Sequence, residues 1–252
     1  MQVRECVLPA KPLPDFPAVR LDFPVDLFLT LAEAGDMGPT RELLHPLRDN
    51  ALEKLGIQPG KTALVDQVHS KCIFSWDMAM TEPRLPADGV IGSGGQAAAV
   101  TVADCMPIAV YEEKNGSWAL LHSGRQGTGI LAVALRELEG LAQKQGIEKP
   151  SFLVTMGPCI SAGNYEVSRE IAQEFGAVWG DDCLAEKPKY ALSLRQANLN
   201  ICREYGVKTV NMYQECTFTD ERLASYRREG KSFRRMMACL SSRDSICSNK
   251  DE

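Results

Sequence analysis

Apolar runs at residues 97–103 and 108–111 are separated only by Asp104-Cys105-Met106-Pro107, and a third run at 118–121 stops at His122. These stretches are short and apolar throughout, as central strands are, and too short for helices. Residues 62–68 also read as a strand and stop at His69. His69, Cys105 and His122 thus sit where strand-like runs break, the usual place for a side chain aimed into a cleft. The chain has three histidines in all, and two belong to this set. Two imidazoles and one thiolate make a three-ligand shell with a position open for water or substrate, the pattern of a catalytic rather than a structural zinc. The ligands are too far apart in sequence for a zinc finger, so the reading rests on their shared placement.

The remaining chain supplies elements to cover such a sheet. Residues 25–29 read as an entering edge strand. Leucines at 43, 44, 47, 52 and 55 recur at helical spacing, so a helix is expected over 39–55, stopped by Gly56. His45 falls inside that helix and reads as a surface or half-buried residue without a role. The run at 62–68 resumes at 72–76. Asp88-Gly89 is a turn signal before another apolar run, and Asn115-Gly116 a hairpin turn. An amphipathic helix follows His122, with Ile130, Leu131, Ala134, Leu135, Leu138 and Leu141 on one face and Gly146 beyond its end. The glycines between 123 and 129 have two readings: they free backbone N–H groups for an anion at the helix start, or they permit a tight turn.

Further strands are expected at 152–156, 207–212 and 236–240. A helix is expected over 168–179 from a Ser168 cap, another over 193–205 from a capping box of Ser193 and Gln196, and a third over 220–228. The tail from Ser241 is polar and reads as frayed. No linker, repeat or low-complexity block divides the chain, so one domain, 1–252, is expected.

The net charge of −5 disfavours a nucleic-acid surface. No stretch approaches membrane-spanning length and the first residues hold no apolar leader, so neither membrane nor export is expected. Nine scattered cysteines, an odd number, read as reduced thiols of a cytoplasmic protein.

Eight short motifs occur in order: Gln67-Val68-His69-Ser70, Ala87-Asp88-Gly89, Thr101-Val-Ala-Asp-Cys105-Met-Pro107, His122-Ser-Gly, Gly157-Pro-Cys-Ile160, Tyr165-Glu166-Val167, Cys216-Thr217 and Ser225-Tyr-Arg-Arg228. The series resembles the laccase-domain family, also called multicopper polyphenol oxidase-like or zinc-dependent purine nucleoside phosphorylases, over a recognisable core of about 35–240. The resemblance implies an α+β fold, a single domain of mixed β-sheets layered with helices. It implies one zinc on His69, Cys105 and His122, with copper as the second choice of metal. It also implies phosphorolysis of adenosine, inosine and methylthioadenosine, and deamination of adenosine, with purine nucleosides and phosphate as partners and a homodimer allowed. A copper polyphenol oxidase label and the editing of peptidoglycan precursors come with the same family, and both stand as alternatives. Where the family usually has Ala-Gly-Trp-Arg-Gly after the histidine, this chain has Ser123-Gly124-Arg125-Gln126-Gly127, which moves the arginine back by one position. The family's double cysteine before Tyr-Glu-Val is here Gly163-Asn164, and its final Gly-Arg is Arg234-Arg235.

Roles follow for the residues around the metal. Asp104 and Cys105 are the catalytic candidates, Asp104 as a proton shuttle, since a carboxylate at a buried strand end needs a donor, a metal or a substrate proton. Arg125, Arg228 and Arg235 are candidates for holding phosphate, because a guanidinium fork matches its oxygens. Cys159 and Tyr165 are expected to line the pocket. A true multicopper centre needs more histidines than three, which leaves a nucleoside phosphorylase and deaminase as the leading reading.

Overall fold

A computed structural model describes residues 3–39, 45–81, 83–185 and 190–242. In chain order the strands open with β1 (Arg4–Val7), β2 (Lys11–Pro12), β3 (Ala18–Arg20) and β4 (Asp26–Thr30), followed by helix α1 (Pro46–Lys54). Next come β5 (Thr62–Leu64), β6 (Ile73–Ser75), α2 (Trp76–Ala79), β7 (Gly89–Gly92), β8 (Ala97–Val102), β9 (Met106–Glu112) and β10 (Trp118–Ser123). The second half holds α3 (Ile130–Lys144), β11 (Phe152–Met156), α4 (Arg169–Trp179), β12 (Leu184–Ala185), β13 (Ala191–Leu192), α5 (Leu194–Glu204), β14 (Thr209–Met212), α6 (Tyr226–Glu229) and β15 (Met236–Ser241).

These strands form a seven-stranded mixed sheet, β1-β14-β11-β9-β10-β7-β6, and a six-stranded sheet, β2-β3-β4-β15-β8-β5, beside the small β12-β13 pair. Successive strand residues point to opposite faces, and the core divides accordingly. Ile108, Val110, Ala119 and Leu121 of the first sheet pack with Ile130, Leu131, Ala134, Leu135 and Leu138 of α3. Their neighbours Ala109, Leu120 and Trp118 turn the other way, onto Ala98, Val100, Val102, Ala238 and Leu240 of the second sheet. Ala97, Ala99, Met237 and Cys239 then face Ala51, Leu52 and Leu55 of α1 and its end. Helix, sheet, sheet and helix are stacked in that order. Both sheets are covered on both faces, which is why β8, β9 and β15 read as unbroken apolar runs rather than alternating ones. The fold is the α+β arrangement of mixed sheets and helices that the sequence led us to expect.

Local signals set the element ends. Gly116, at φ +74°, closes the β9–β10 hairpin, and Gly146, at φ +81°, follows α3. Ser168 and Ser193 cap α4 and α5 by accepting from the N–H groups of Ile171 and Gln196. The capping box is only half made, because the Ser193 N–H donates to Cys183 O, while the Gln196 amide nitrogen donates to Asp182 and Asn200.

Five expectations need correction. Residues 25–29 do not form an edge: β4 is paired on both sides, by β3 and β15. The first helix starts at Pro46 rather than 39, since proline suits the first helical position and not an interior one; Leu43 and Leu44 lie outside the described residues. His45 is not a surface side chain. It is 7% exposed, its Nδ1 accepts from Arg48 N as the α1 cap, and its Nε2 meets Gly38 O at 2.7 Å. Residues 72–76 do not stay extended, because Ser75 caps a one-turn helix, α2. Residues 220–228 are not a helix either. Their backbone is held by the Asp220 and Arg228 side chains, and only α6 is helical. The tail beyond 242 lies outside the described residues. Among the described residues no helix is long and apolar enough to cross a membrane.

Candidate metal centre and cleft

The three ligand candidates come from the crossings between the two sheets and from one strand of the first. His69 lies between β5, in the second sheet, and β6, in the first. Cys105 lies between β8 and β9, which are likewise in different sheets. His122 is inside β10, opposite Pro107, so the strand continues one residue past it instead of stopping there. One ligand atom from each of the three lies within 4.8 Å of the others, an arrangement able to hold a metal ion. His69 (φ +59°) and Asp104 (φ +82°) are the positive-φ residues other than glycine among those described. His69 belongs to this centre and Asp104 adjoins it through Cys105, both in a backbone conformation that is costly for a residue with a side chain.

Asp88 holds the cluster together. It is fully buried, and its carboxylate accepts from the backbone N–H groups of Val68 (3.3 Å), His69 (3.0 Å) and Ser70 (2.5 Å) and from the Ser70 hydroxyl (2.8 Å). It also takes the Nδ1–H of His122 at 2.7 Å, which leaves His122 Nε2 as the ligand atom. One carboxylate thereby fixes the unusual loop at His69 and the ring of His122. The same hydrogen bonds outweigh burial and hold the Asp88 carboxyl below the usual carboxylate range. Sequence reading registered Asp88 only as a turn signal and part of a motif. The acid before a buried apolar strand was the available clue. Asp88→Asn is expected to weaken metal affinity by about 10- to 100-fold, the usual cost of losing a ligand's orienting partner. Equilibrium dialysis with the metal measures it, and wild-type affinity would remove Asp88 from this role.

The thiol and the buried imidazole share charge. Burial would raise the Cys105 pKa, but the neighbouring His122 and His69 bring it down to about 6. Burial would lower that of His122, but the Cys105 thiolate and Asp88 push it up to about 9. These shifts favour a thiolate beside an imidazolium, and a divalent cation held by the two residues would take the place of the imidazolium's proton.

The glycines after His122 serve close approach. A Cβ on Gly124 would lie 2.6 Å from Cys105 Sγ and 3.2 Å from His69 Cδ2, and one on Gly127 would lie 2.8 Å from Ser70 O. A side chain at 124 would fill the cluster itself. At the start of α3, a Cβ on Gly129 would meet Trp179 and Lys71. Of the two readings of this loop, these close approaches support the tight passage.

The cluster opens onto a cleft of about 590 Å³, within the range of small-molecule sites. His69, Asp104, Cys105, His122, Arg125, Tyr165 and Arg235 all line it. Cys159 and Arg228 do not. Cys159 is fully buried beside Arg195, which donates toward its sulfur at 3.7 Å. The Arg228 guanidinium is occupied by the carbonyls of Thr217, Phe218, Asp220 and Leu223 and by Glu229. Its neighbour Arg227 faces the cleft instead, over the Tyr165 ring at 5.4 Å. Nothing in two adjacent arginines tells which one a single-turn helix will turn inward. The Asp104 carboxylate accepts from Thr217 Oγ1 at 2.6 Å and from Arg227 N at 2.7 Å, two partners that sequence reading did not assign.

A His-Cys-His cluster at the junction of two sheets, opening onto an arginine-lined cleft, defines a protein with a candidate metal centre beside a small-molecule site. The chain belongs to the family described as multi-copper polyphenol oxidoreductase laccase, whose pattern matches residues 35–243. It is 32% identical over 200 residues to a purine nucleoside phosphorylase of Corynebacterium glutamicum, covering 74% of this chain and 77% of that one. It is 29% identical over 217 residues to a purine nucleoside phosphorylase of Campylobacter jejuni, covering 83% and 89%. Its fold matches that of YlmD from Geobacillus stearothermophilus with a TM-score of 0.77 at 23% identity, over 93% of this chain and 99% of that one.

Proposed function

We propose that this chain is a zinc-dependent purine nucleoside phosphorylase that accepts adenosine, inosine and methylthioadenosine and also deaminates adenosine. The convergence of His69, Cys105 and His122 in the wall of the cleft carries this reading, and the names of the relatives support its substrate class. The residues fit zinc. A thiolate and two imidazoles are its usual donors, Asp88 sets the ligating nitrogen of His122, and the bare Gly124 leaves room beside the sulfur. Bound there with a position open, zinc supplies Lewis acidity toward a substrate oxygen.

The chain's own groups do the rest. In phosphorolysis the glycosidic C–N bond breaks, a C–O bond to phosphate forms, and the purine leaves with a proton. Asp104 takes that proton from phosphate and returns it to the purine. Its two hydrogen bonds, one to each oxygen, leave a lone pair on each oxygen for the transfer. In deamination it serves the attacking water and the leaving amine in the same way. Tyr165 and Ile160 exclude water from one wall. Arg125 lies near the metal end, within electrostatic reach of Tyr165, as Cys105 and Asp104 are, and it holds the attacking phosphate.

Arg125→Ala tests the assignment. The KM for phosphate is expected to rise by about tenfold or more, the worth of a charge-assisted hydrogen bond, while deamination, which uses water, is largely spared. Equal losses in both reactions would make Arg125 a nucleoside or structural contact.

A further inference from the structure

The cleft contains more cationic groups than one phosphate needs. Arg125 and Arg227 belong to the metal end, with Asp104 and Tyr165. Three further arginines, Arg48, Arg84 and Arg235, line the same cleft, as do Pro39 and Phe233. Leu64, Val65, Ala99 and Thr101 also line it.

Arg48 and Arg235 meet at Gly38. The Arg48 guanidinium donates to Met37 O at 3.1 Å and to Gly38 O at 3.0 Å, and a Cβ on Gly38 would lie 2.5 Å from Arg235 Nη1. Arg235 is spread over the Phe233 ring at 4.4 Å, and Phe233 is braced edge-on by Tyr226 at 5.0 Å. A stacked guanidinium is held in place with its in-plane N–H donors still available. Among the described residues, neither Arg48 nor Arg235 has a carboxylate at ion-pair distance. The nearby Asp36 spends an oxygen on the backbone N–H groups of Gly38 and Arg235. Arg48 is 3% exposed, and its Nε is a buried donor without a partner. Burial and the charge of Arg84 pull its pKa down to about 10, against the opposing charges of Asp49 and Asp36. A buried, underpaired cation is costly, and an anion at this end relieves the cost.

We propose that Arg235, stacked on Phe233 and backed by Arg48, is a second anion subsite that receives a phosphate carried by the substrate itself, so that the preferred substrate is a purine nucleoside 5′-monophosphate. The inference rests on the purine nucleoside reading of the cleft and adds the anionic group to it. Inorganic phosphate would then use the Arg125 end, the glycosidic bond would break as before, and the products would be the free base and ribose 1,5-bisphosphate.

Calorimetric titration of the zinc-loaded protein with AMP and with adenosine, followed by kcat/KM for phosphorolysis of each, tests this. AMP is expected to bind about 10- to 100-fold more tightly than adenosine, and Arg235→Gln should erase most of that ratio, with Arg235→Lys restoring part of it. Equal affinities for the two ligands, or an Arg235→Gln variant that keeps the ratio, would overturn the subsite. If neither ligand binds, the nucleoside reading itself fails. A second inorganic phosphate as the true occupant would show as an AMP advantage of one, with adenosine turnover depending on more than one phosphate. That result also rejects the substrate-borne assignment.

Discussion

Cys105→Ala is expected to take zinc content from about one per chain to near zero, and phosphorolysis and deamination with it. Cys105 supplies the only sulfur of the candidate shell, and two imidazoles alone leave the ion with too few protein ligands for a stable site. The loss should exceed the roughly 10- to 100-fold expected when an orienting partner such as Asp88 is removed. The sheets should survive, because the flanking β8 and β9 are anchored by fully buried Val100, Met106 and Ile108 and not by the thiol. Elemental analysis after gel filtration, with a circular dichroism melt as the folding control, measures both parts. Full zinc occupancy in the variant would remove Cys105 from the shell.

Asp104→Asn should act differently. Asparagine is among the residues that tolerate positive φ, so the backbone at φ +82° can be kept. The amide oxygen can still accept one of the two bonds that Thr217 and Arg227 now make. What disappears is the proton carrier. Turnover is expected to fall by about 10²- to 10⁴-fold with zinc content unchanged, the range typical of a general acid–base group. Loss of zinc would show instead that the carboxylate supports the metal, and unchanged turnover would end its role in proton transfer.

The central strands and the three residues of the candidate metal centre were legible because they depend on local pattern, and the α+β fold because the motifs resemble a family. Residues 97–103 and 108–111 could hardly be anything but central strands. Only strand breaks could aim His69 and Cys105 at one point. What escaped depends on tertiary contacts. His45 is a common residue type at a polar surface, and nothing nearby in sequence announces the Gly38 carbonyl that its Nε2 meets. Asp88 looks like any turn-forming acid until β7 and β10 are paired and its oxygens fall among the amides of residues 68–70. Arg228 and Arg227 are equivalent in sequence, and the carbonyls that capture Arg228 come from residues 217–223. The stretch 220–228 carries helix-forming residues, yet the Asp220 carboxylate bonds Arg222 and the chain turns instead.

Release of purine base from inosine by the zinc-loaded protein, with and without phosphate and before and after chelation, tests the central claim most directly. The account predicts base release that requires both phosphate and the metal, with ribose 1-phosphate formed in equal amount. Release that continues without phosphate or after the metal is stripped, or no release from protein carrying one zinc per chain, would contradict it.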